Sequence, residues 1–563
     1  MVNRSQASVP DAVVIGAGPN GLVAANALAD AGWTVVLLER NDEPGGAVRS
    51  GEVAAPGFVS DLFSAFYPLA AASPVMRDLQ LQDHGLHWVH APAVVGHATP
   101  DGGAAVLERS PEDTAAGLEA QAAGDGEAWL AMYRHWCAVR DPLLQALFTP
   151  FPPVRAALRL ARRQRTAGLV ELARLAAVPV RRLGYERFTG PGGRLLLTGN
   201  AMHSDVPPDG AGSGFFGWLL AMLGQDVGFP VPRGGAGELS GAMARRAASV
   251  GVEIRTGTAV QEVLVEGGRA VGVRLTDGTT VRARRGVLAD VPAPLLYEQM
   301  LPADVVPPKV RADLDRFEWD SGTLKVNWAL DGPVPWAAPG LDRAGTVHLG
   351  VDEDGLLEVA KDLALRRAPA RPFLLLGQMT TADPTRSPAG TESTWAYTHL
   401  PVASDWSQEA IAEQVGRMRH AVEEVAPGFG ARIVGEYVQS PDQLQDWNPS
   451  LVGGSINAGT SAIHQQLFLR PTPGLGRAET PVEGLYLAGA SAHPGGGVHG
   501  TCGWNAARAA LTAHGRLGLV KRALVRTAWE RLLHETGGRT GPVPLSARPT
   551  ADHLATSRAG IDD

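Results

Sequence analysis

The chain has 563 residues, 45% hydrophobic and 19% charged, which is enough sequence for several domains around a large core. A formal net charge of −8 argues against a general nucleic-acid binder, so no nucleic-acid partner is expected. Two cysteines far apart, Cys137 and Cys502, exclude a disulfide framework, a C-x-x-C redox pair and a cysteine zinc site, and no metal site is expected.

Met1 to Asp11 is polar and lacks the apolar core of a signal peptide, so a reducing cytoplasm is the expected location. An apolar β-branched run, Val13-Val14-Ile15, then leads straight into Gly16-Ala17-Gly18-Pro19-Asn20-Gly21. The Ala- and Leu-rich text from Leu22 to Ala31 reads as a helix, so the pattern is strand, tight turn, helix. Gly16 lets the chain turn, Gly18 lets backbone approach a pyrophosphate, and Gly21 lets the helix pack on the strand. The helix N-terminus offers free N–H groups to phosphates.

A second strand, Thr34 to Leu38, ends in Glu39, 23 residues beyond Gly16 and close to where an acid accepts ribose hydroxyls. Next comes Arg40-Asn41-Asp42-Glu43-Pro44-Gly45-Gly46-Ala47-Val48-Arg49, whose glycine pair again permits close backbone approach to a ligand. Here the sequence resembles the amine oxidase flavoprotein superfamily, including the phytoene (carotenoid) desaturases, in which GxGxxG, an acidic strand end and a G-G-R segment hold FAD. In this chain Ala47 stands where that arginine often sits, with Arg49 two residues later. The resemblance implies an α/β fold in which a Rossmann-like FAD-binding domain is interleaved with an α+β substrate domain.

Residues 58 to 88 are irregular and aromatic, and Glu112 to Trp136 is helical with a polar interval at Gly124 to Glu127; both mark departure into the substrate domain. Between Phe151 and Arg187 lie nine arginines and two acids, Glu171 and Glu186. Across Val154 to Arg182, Arg155, Arg159, Arg162, Arg163 and Arg165 alternate with Leu158, Leu160 and Leu169, as expected of a helix that lays leucines into an anionic lipid surface. The longest central apolar run, Gly214 to Gly224, has only 11 residues, against the roughly 20 that span a bilayer. Peripheral contact is therefore the expected membrane mode, with a second mixed basic helix from Val520 to Leu533.

After Pro232-Arg233-Gly234-Gly235, a helix (Glu238 to Ser249) precedes three short runs: Gly251 to Arg255, Val260 to Glu266 and Ala270 to Leu275. They read as a small antiparallel meander leading to a strand, Gly286 to Asp290, that rejoins the parallel sheet. In the resembled superfamily this block closes over the adenine near a valine, here Val260. Thr323 to Leu330, Thr346 to Leu349, Phe373 to Met379 and Trp395 to Leu400 are strand-like, and Gln408 to Val425 is a long helix, together a mostly antiparallel substrate domain. Asp383-Pro384-Thr385-Arg386 with Trp395-Ala396-Tyr397-Thr398-His399 resembles the phytoene-desaturase-like branch.

Near the C-terminus, Leu485 to Ala488 is a strand entering Gly489-Ala490-Ser491-Ala492-His493-Pro494-Gly495-Gly496-Gly497-Val498-His499-Gly500, followed by a helix from Thr501 to His514. The resemblance places this loop against the pyrophosphate and flavin, and Ala490, where amine oxidases carry an acid, favours the desaturase-like branch. The expected boundaries are FAD-binding segments 1–57, 232–298 and 451–516, substrate segments 58–231 and 299–450, and a C-terminal helix and tail 517–563. The tail after Gly537 is expected to be poorly ordered.

Together these motifs imply an FAD-dependent desaturase, dehydrogenase or oxidase that moves a hydride from a mainly apolar, carotenoid- or isoprenoid-like small molecule to flavin N5. The alternatives are a flavin amine oxidase and a flavin-binding regulatory protein without turnover. No second well-placed GxGxxG and no C-x-x-C is found, so electrons are expected to leave for oxygen, a quinone or a protein rather than through a nicotinamide. Candidate catalytic residues are His499 and Lys325, the latter one of four lysines against 46 arginines. The spacing around Lys325 resembles the amine-oxidase strand whose lysine holds a water against flavin N5, and a compact ammonium shifts its pKa when buried.

Overall fold

The computed structural model describes residues 9–99, 101–164, 166–402 and 406–534. Arg165 and the segment after Gly537 lie outside the described residues. The chain opens with β1 (Ala12–Ile15), α1 (Pro19–Asp30) and β2 (Val35–Leu38). A hairpin of β3 (Ala93–Ala98) and β4 (Ala104–Glu108) leads to helices α2 (Pro111–Gln121) and α3 (Asp125–Leu147). The arginine-rich stretch forms three short helices instead of one, α4 (Val154–Arg163), α5 (Thr166–Leu175) and α6 (Val180–Arg187), because Gln164 is extended and Pro179 sets the start of α6. Helices α7 (Pro191–Ala201), α8 (Ser213–Asp226) and α9 (Gly237–Ser249) follow.

Next come β5 (Glu253–Arg255), β6 (Val260–Glu266), β7 (Arg269–Leu275), β8 (Thr280–Arg282) and β9 (Gly286–Ala289). The second sheet adds β10 (Gly322–Leu330), β11 (Ala344–Leu349), β12 (Leu374–Gln378) and β13 (Glu392–Leu400). After α10 (Gln408–Val425) it takes β14 (Ile433–Gln439), and the chain closes with β15 (Leu485–Leu487), α11 (Thr501–Ala513) and α12 (Gly518–His534).

Among the described residues the first sheet has five parallel strands in the order β15-β9-β1-β2-β5. Its strands β15, β9, β1 and β2 are buried on both faces, as parallel strands with covered faces must be, while β5 lies partly exposed at the edge. Alternation sorts the two faces: Val14 and Leu37 pack with α1, α9 and α11, whereas Val13, Ile15, Val36 and Leu38 pack against the β6–β7 side. The run at 251–255 departs from the expected meander. As β5 it pairs with β2 in parallel, Leu37 opposite Ile254, and the meander is β6-β7-β8. Ile254 packs partly buried against the helical core, which its place at the sheet edge makes possible.

The second sheet has seven strands among the described residues, β14-β10-β13-β12-β11-β3-β4, antiparallel except where β11 meets β3. Helices α3, α7 and α8 bury Trp129, Trp136, Leu196 and Trp218 together beside this sheet. One cavity of about 770 Å³ runs from the C-terminal ends of β1, β2 and β9 to the face of the second sheet. Ligands of open parallel sheets bind at such strand ends.

Candidate functional site

Every expected cofactor residue except Gly21 and Gly45 lines this one cavity: Gly16, Gly18, Pro19, Asn20, Glu39, Arg40, Gly46, Ala47, Val48, Val260, Gly489, Ala490, Gly496, Gly497 and Val498. Lys325 and His499 line it as well. The two exceptions serve packing. A Cβ on Gly21 would stand 2.0 Å from the Gly16 carbonyl oxygen, so glycine there sets how closely α1 rides on β1. Gly45 donates its N–H to Ala17 O at 2.8 Å and ties the second glycine turn to the first.

The cradle is polar where a dinucleotide needs it. Glu39 is buried and its carboxylate is fixed by two amides, Ala17 N–H to Oε2 at 2.8 Å and Asn41 N–H to Oε1 at 2.9 Å. Carboxylate oxygens have further lone pairs, available here to ribose hydroxyls. Helix α1 begins at Gly18, which has no side chain to cap it. The cap arrives from β9 instead: Asp290 Oδ2 accepts the Gly21 N–H at 2.8 Å. Burial, with a further push from Glu39, raises the Asp290 carboxyl to about 7, opposed by that hydrogen bond. The strand end was legible in the sequence, but this second carboxylate beside the phosphate turn was not.

FAD fits these residues. A Cβ at Gly18 would lie 2.8 Å from Asp290 Oδ2, and one at Gly46 would lie 2.9 Å from the Gly18 Cα, so the space over α1 is held open by absent side chains. Asn20 is buried and its Oδ1 has no hydrogen-bond partner among the described residues, leaving an acceptor at the same helix end. Arg49 takes no part in the cavity. It donates to Gly46 O and Trp447 O and lies over the Phe63 ring at 5.2 Å, which makes it a tie between loops.

At the other end of the cavity Lys325 projects from β10. It is 2% exposed, donates to the carbonyls of Asp61 and Phe63, and sits 5.2 Å over the Trp395 ring. Burial lowers its amine to about 7, and the nearby Arg386 adds to the effect while Asp61 opposes it. Arg386 and Asp61 form an ion pair at 2.6 Å with both side chains fully buried. In its protonated form the amine anchors the 61–63 turn through two N–H groups and keeps a third for the cavity.

His499 lines the cavity beside the glycine loop. Its Nδ1 accepts the Thr501 N–H at 3.0 Å, and burial lowers it to about 4, opposed by the Gly495 and Gly496 backbone. Arg470, absent from the sequence expectations, is buried beneath that loop and donates to Ala490 O at 2.8 Å, Asn457 O at 2.9 Å and Thr460 O at 2.9 Å. Cys502 is buried, donates toward Ala492 O and Gly495 O, and does not line the cavity, so it offers no covalent anchor for a cofactor.

Between these ends the walls are apolar, with Phe66, Phe148, Phe216, Leu219, Phe229 and Tyr397 among them. The carboxylates lining the cavity are Glu39 and Asp290, both at the dinucleotide end. What the arrangement can do is bind a dinucleotide along the sheet edge and hold an apolar molecule against its inner end.

The family model for flavin containing amine oxidoreductase matches residues 20–511. The chain is 30% identical to pyridine nucleotide-disulfide oxidoreductase domain-containing protein 2 of Mus musculus, over 88% of this chain and 92% of that one. It is 26% identical to the phytoene desaturase (neurosporene-forming) of Cereibacter sphaeroides, over 89% and 95%. Among solved structures, an oxidoreductase from Methanosarcina mazei matches with a TM-score of 0.57 and 16% identity, covering 89% of this chain and 99% of that one.

Proposed function

Since the chain belongs to the flavin-containing amine oxidoreductase family and is an FAD-dependent oxidoreductase, we propose that its substrate is a mainly apolar, isoprenoid-like molecule from which it removes a hydride. The observation that carries this reading is the chamber wall: mostly aromatic and aliphatic side chains, with no carboxylate among its described residues to pair with a protonated amine. Bound FAD supplies an acceptor for an electron pair at N5. The Gly16–Gly21 turn, Glu39 and the Gly489–Val498 loop hold the cofactor, the apolar walls exclude water, and Lys325 offers its remaining N–H to a water or substrate atom facing the flavin end. On this reading the electrons pass on from the flavin to oxygen, a quinone or a protein.

The test is anaerobic mixing of the flavin-loaded protein with isoprenoid hydrocarbons and their oxygenated derivatives, primary amines and NADPH in turn. Bleaching of the visible flavin band by isoprenoids alone is expected, whereas rapid bleaching by amines or NADPH contradicts the reading.

A second observation favours work at a lipid surface. No helix among the described residues is long and apolar enough to cross a membrane. Yet Val154, Leu158 and Val170 stand exposed on α4 and α5 beside exposed Arg155, Arg159, Arg162 and Arg163, a few residues beyond Phe148 of the cavity wall. Guanidiniums around exposed apolar side chains suit an anionic headgroup layer. Sedimentation with phosphatidylglycerol vesicles at low salt, lost at high salt and with neutral vesicles, is the expected result; equal binding to both vesicle types contradicts it.

A further inference from the structure

Behind the chamber wall lies a row of histidines from three distant parts of the chain. His203, at the end of α7, lines the cavity and its Nε2 stands 2.9 Å from Nε2 of His348 on β11. His97, on the neighbouring strand β3, has its ring centroid 5.9 Å from that of His348. His97 and His348 are fully buried. Gly199 makes the room: a Cβ there would lie 2.3 Å from His348 Nδ1 and 3.0 Å from His97 Nδ1.

The proton positions follow from the partners. His97 Nε2 lies 3.3 Å from Val351 O, which can only accept, so His97 carries its proton on Nε2. His348 Nδ1 is buried without a hydrogen-bond partner. A buried unpaired N–H is rarer than a buried unpaired lone pair, which assigns the His348 proton to Nε2, donated to His203. His203 Nε2 is then an acceptor, and the single proton of its neutral ring sits on Nδ1. That atom is not among the sealed, partnerless nitrogens of the neighbouring rings, and His203 is only half-buried against the cavity it lines. Burial lowers His97 to about 4 and His203 to about 3, so the row stays neutral at neutral pH.

We propose that His203 is the specificity-determining contact of the substrate chamber, its Nδ1–H donating to a carbonyl, ether or hydroxyl oxygen on an otherwise apolar substrate. His348 acts as a positioning residue that fixes this donor. The inference rests on the reading of the cavity as an apolar substrate chamber and narrows it to oxygen-bearing apolar molecules. Ser204 and Thr346 line the same cavity.

The test is anaerobic calorimetry of the flavin-loaded protein with two probes of one skeleton, p-menthane and its ketone menthone. Asn and Leu are nearly isosteric, so His203→Asn and His203→Leu differ chiefly in an amide donor near the Nδ1 position. The preference for menthone over p-menthane is expected to be about three- to tenfold larger in the wild type and in His203→Asn than in His203→Leu, the range for one net hydrogen bond. An unchanged preference in His203→Leu overturns the proposal while leaving the chamber reading intact. Failure of both probes to bind the wild type removes the chamber reading and the proposal with it. Independently of any variant's folding, NMR of isotope-labelled histidines in the wild-type protein should show His203 protonated on Nδ1; protonation on Nε2 overturns the assignment.

Discussion

Asp290 is the residue whose behaviour the cradle geometry constrains most. Its carboxyl caps α1 where the pyrophosphate is expected, and burial raises it to about 7. A phosphate nearby favours the protonated form, so FAD affinity should fall several-fold between about pH 6 and about pH 8 and become flat in Asp290→Asn, as read by flavin fluorescence titration. The raised pKa has a second consequence with a definite sign. The contribution of Asp290 to apoprotein stability is complete below the ordinary carboxylate range and is lost as pH rises through about 7. Gly18→Val sets a side chain against Asp290 Oδ2 in the phosphate space, and the purified variant should carry little flavin by absorbance. Lys325→Met should keep its flavin yet slow anaerobic flavin reduction by about ten- to hundredfold, since a preorganised donor at the flavin end is lost. Unchanged rates of both reduction and reoxidation would assign Lys325 solely to anchoring the 61–63 turn.

Elements were more legible than the contacts between them. The strand-turn-helix at 12–30, the Gln408–Val425 helix and strands β10 to β13 follow from periodicity and glycine placement that act within a few residues. The β3–β4 hairpin also carried a signal, the Asp101-Gly102 turn between two apolar runs. Strand β5 was misplaced because three residues, Glu253 to Arg255, carry no information about whether their partner lies before or after them in the chain. The Asp290 cap, the Arg470 brace and the His97–His348–His203 row join segments up to hundreds of residues apart, and no local pattern encodes them. The close seat of α1 gives the element-scale prediction. Gly21→Ala drives a methyl into Gly16 O and should lower unfolding stability by about 1–3 kcal/mol in a denaturant titration, with flavin content falling in parallel.

On the scale of the whole molecule, two sheets share one cavity: the parallel sheet supplies the dinucleotide cradle and the antiparallel sheet supplies the wall opposite it. The strands of the parallel sheet come from the two ends and the middle of the chain, so the second sheet and its helices are inserted between pieces of the first. This arrangement makes FAD a cross-link of the fold, and removing it should lower the thermal midpoint by an amount that grows with the logarithm of its affinity. The central claim is that the chamber delivers a C–H bond of an apolar molecule to the flavin. The most direct measurement is an anaerobic single turnover with an isoprenoid substrate found by flavin bleaching, with the organic product weighed by mass spectrometry against the flavin reduced. One product molecule lacking two hydrogens for each flavin bleached is the expected result; bleaching by amines with release of aldehyde, or hydrocarbon binding with no change in the flavin, would contradict it.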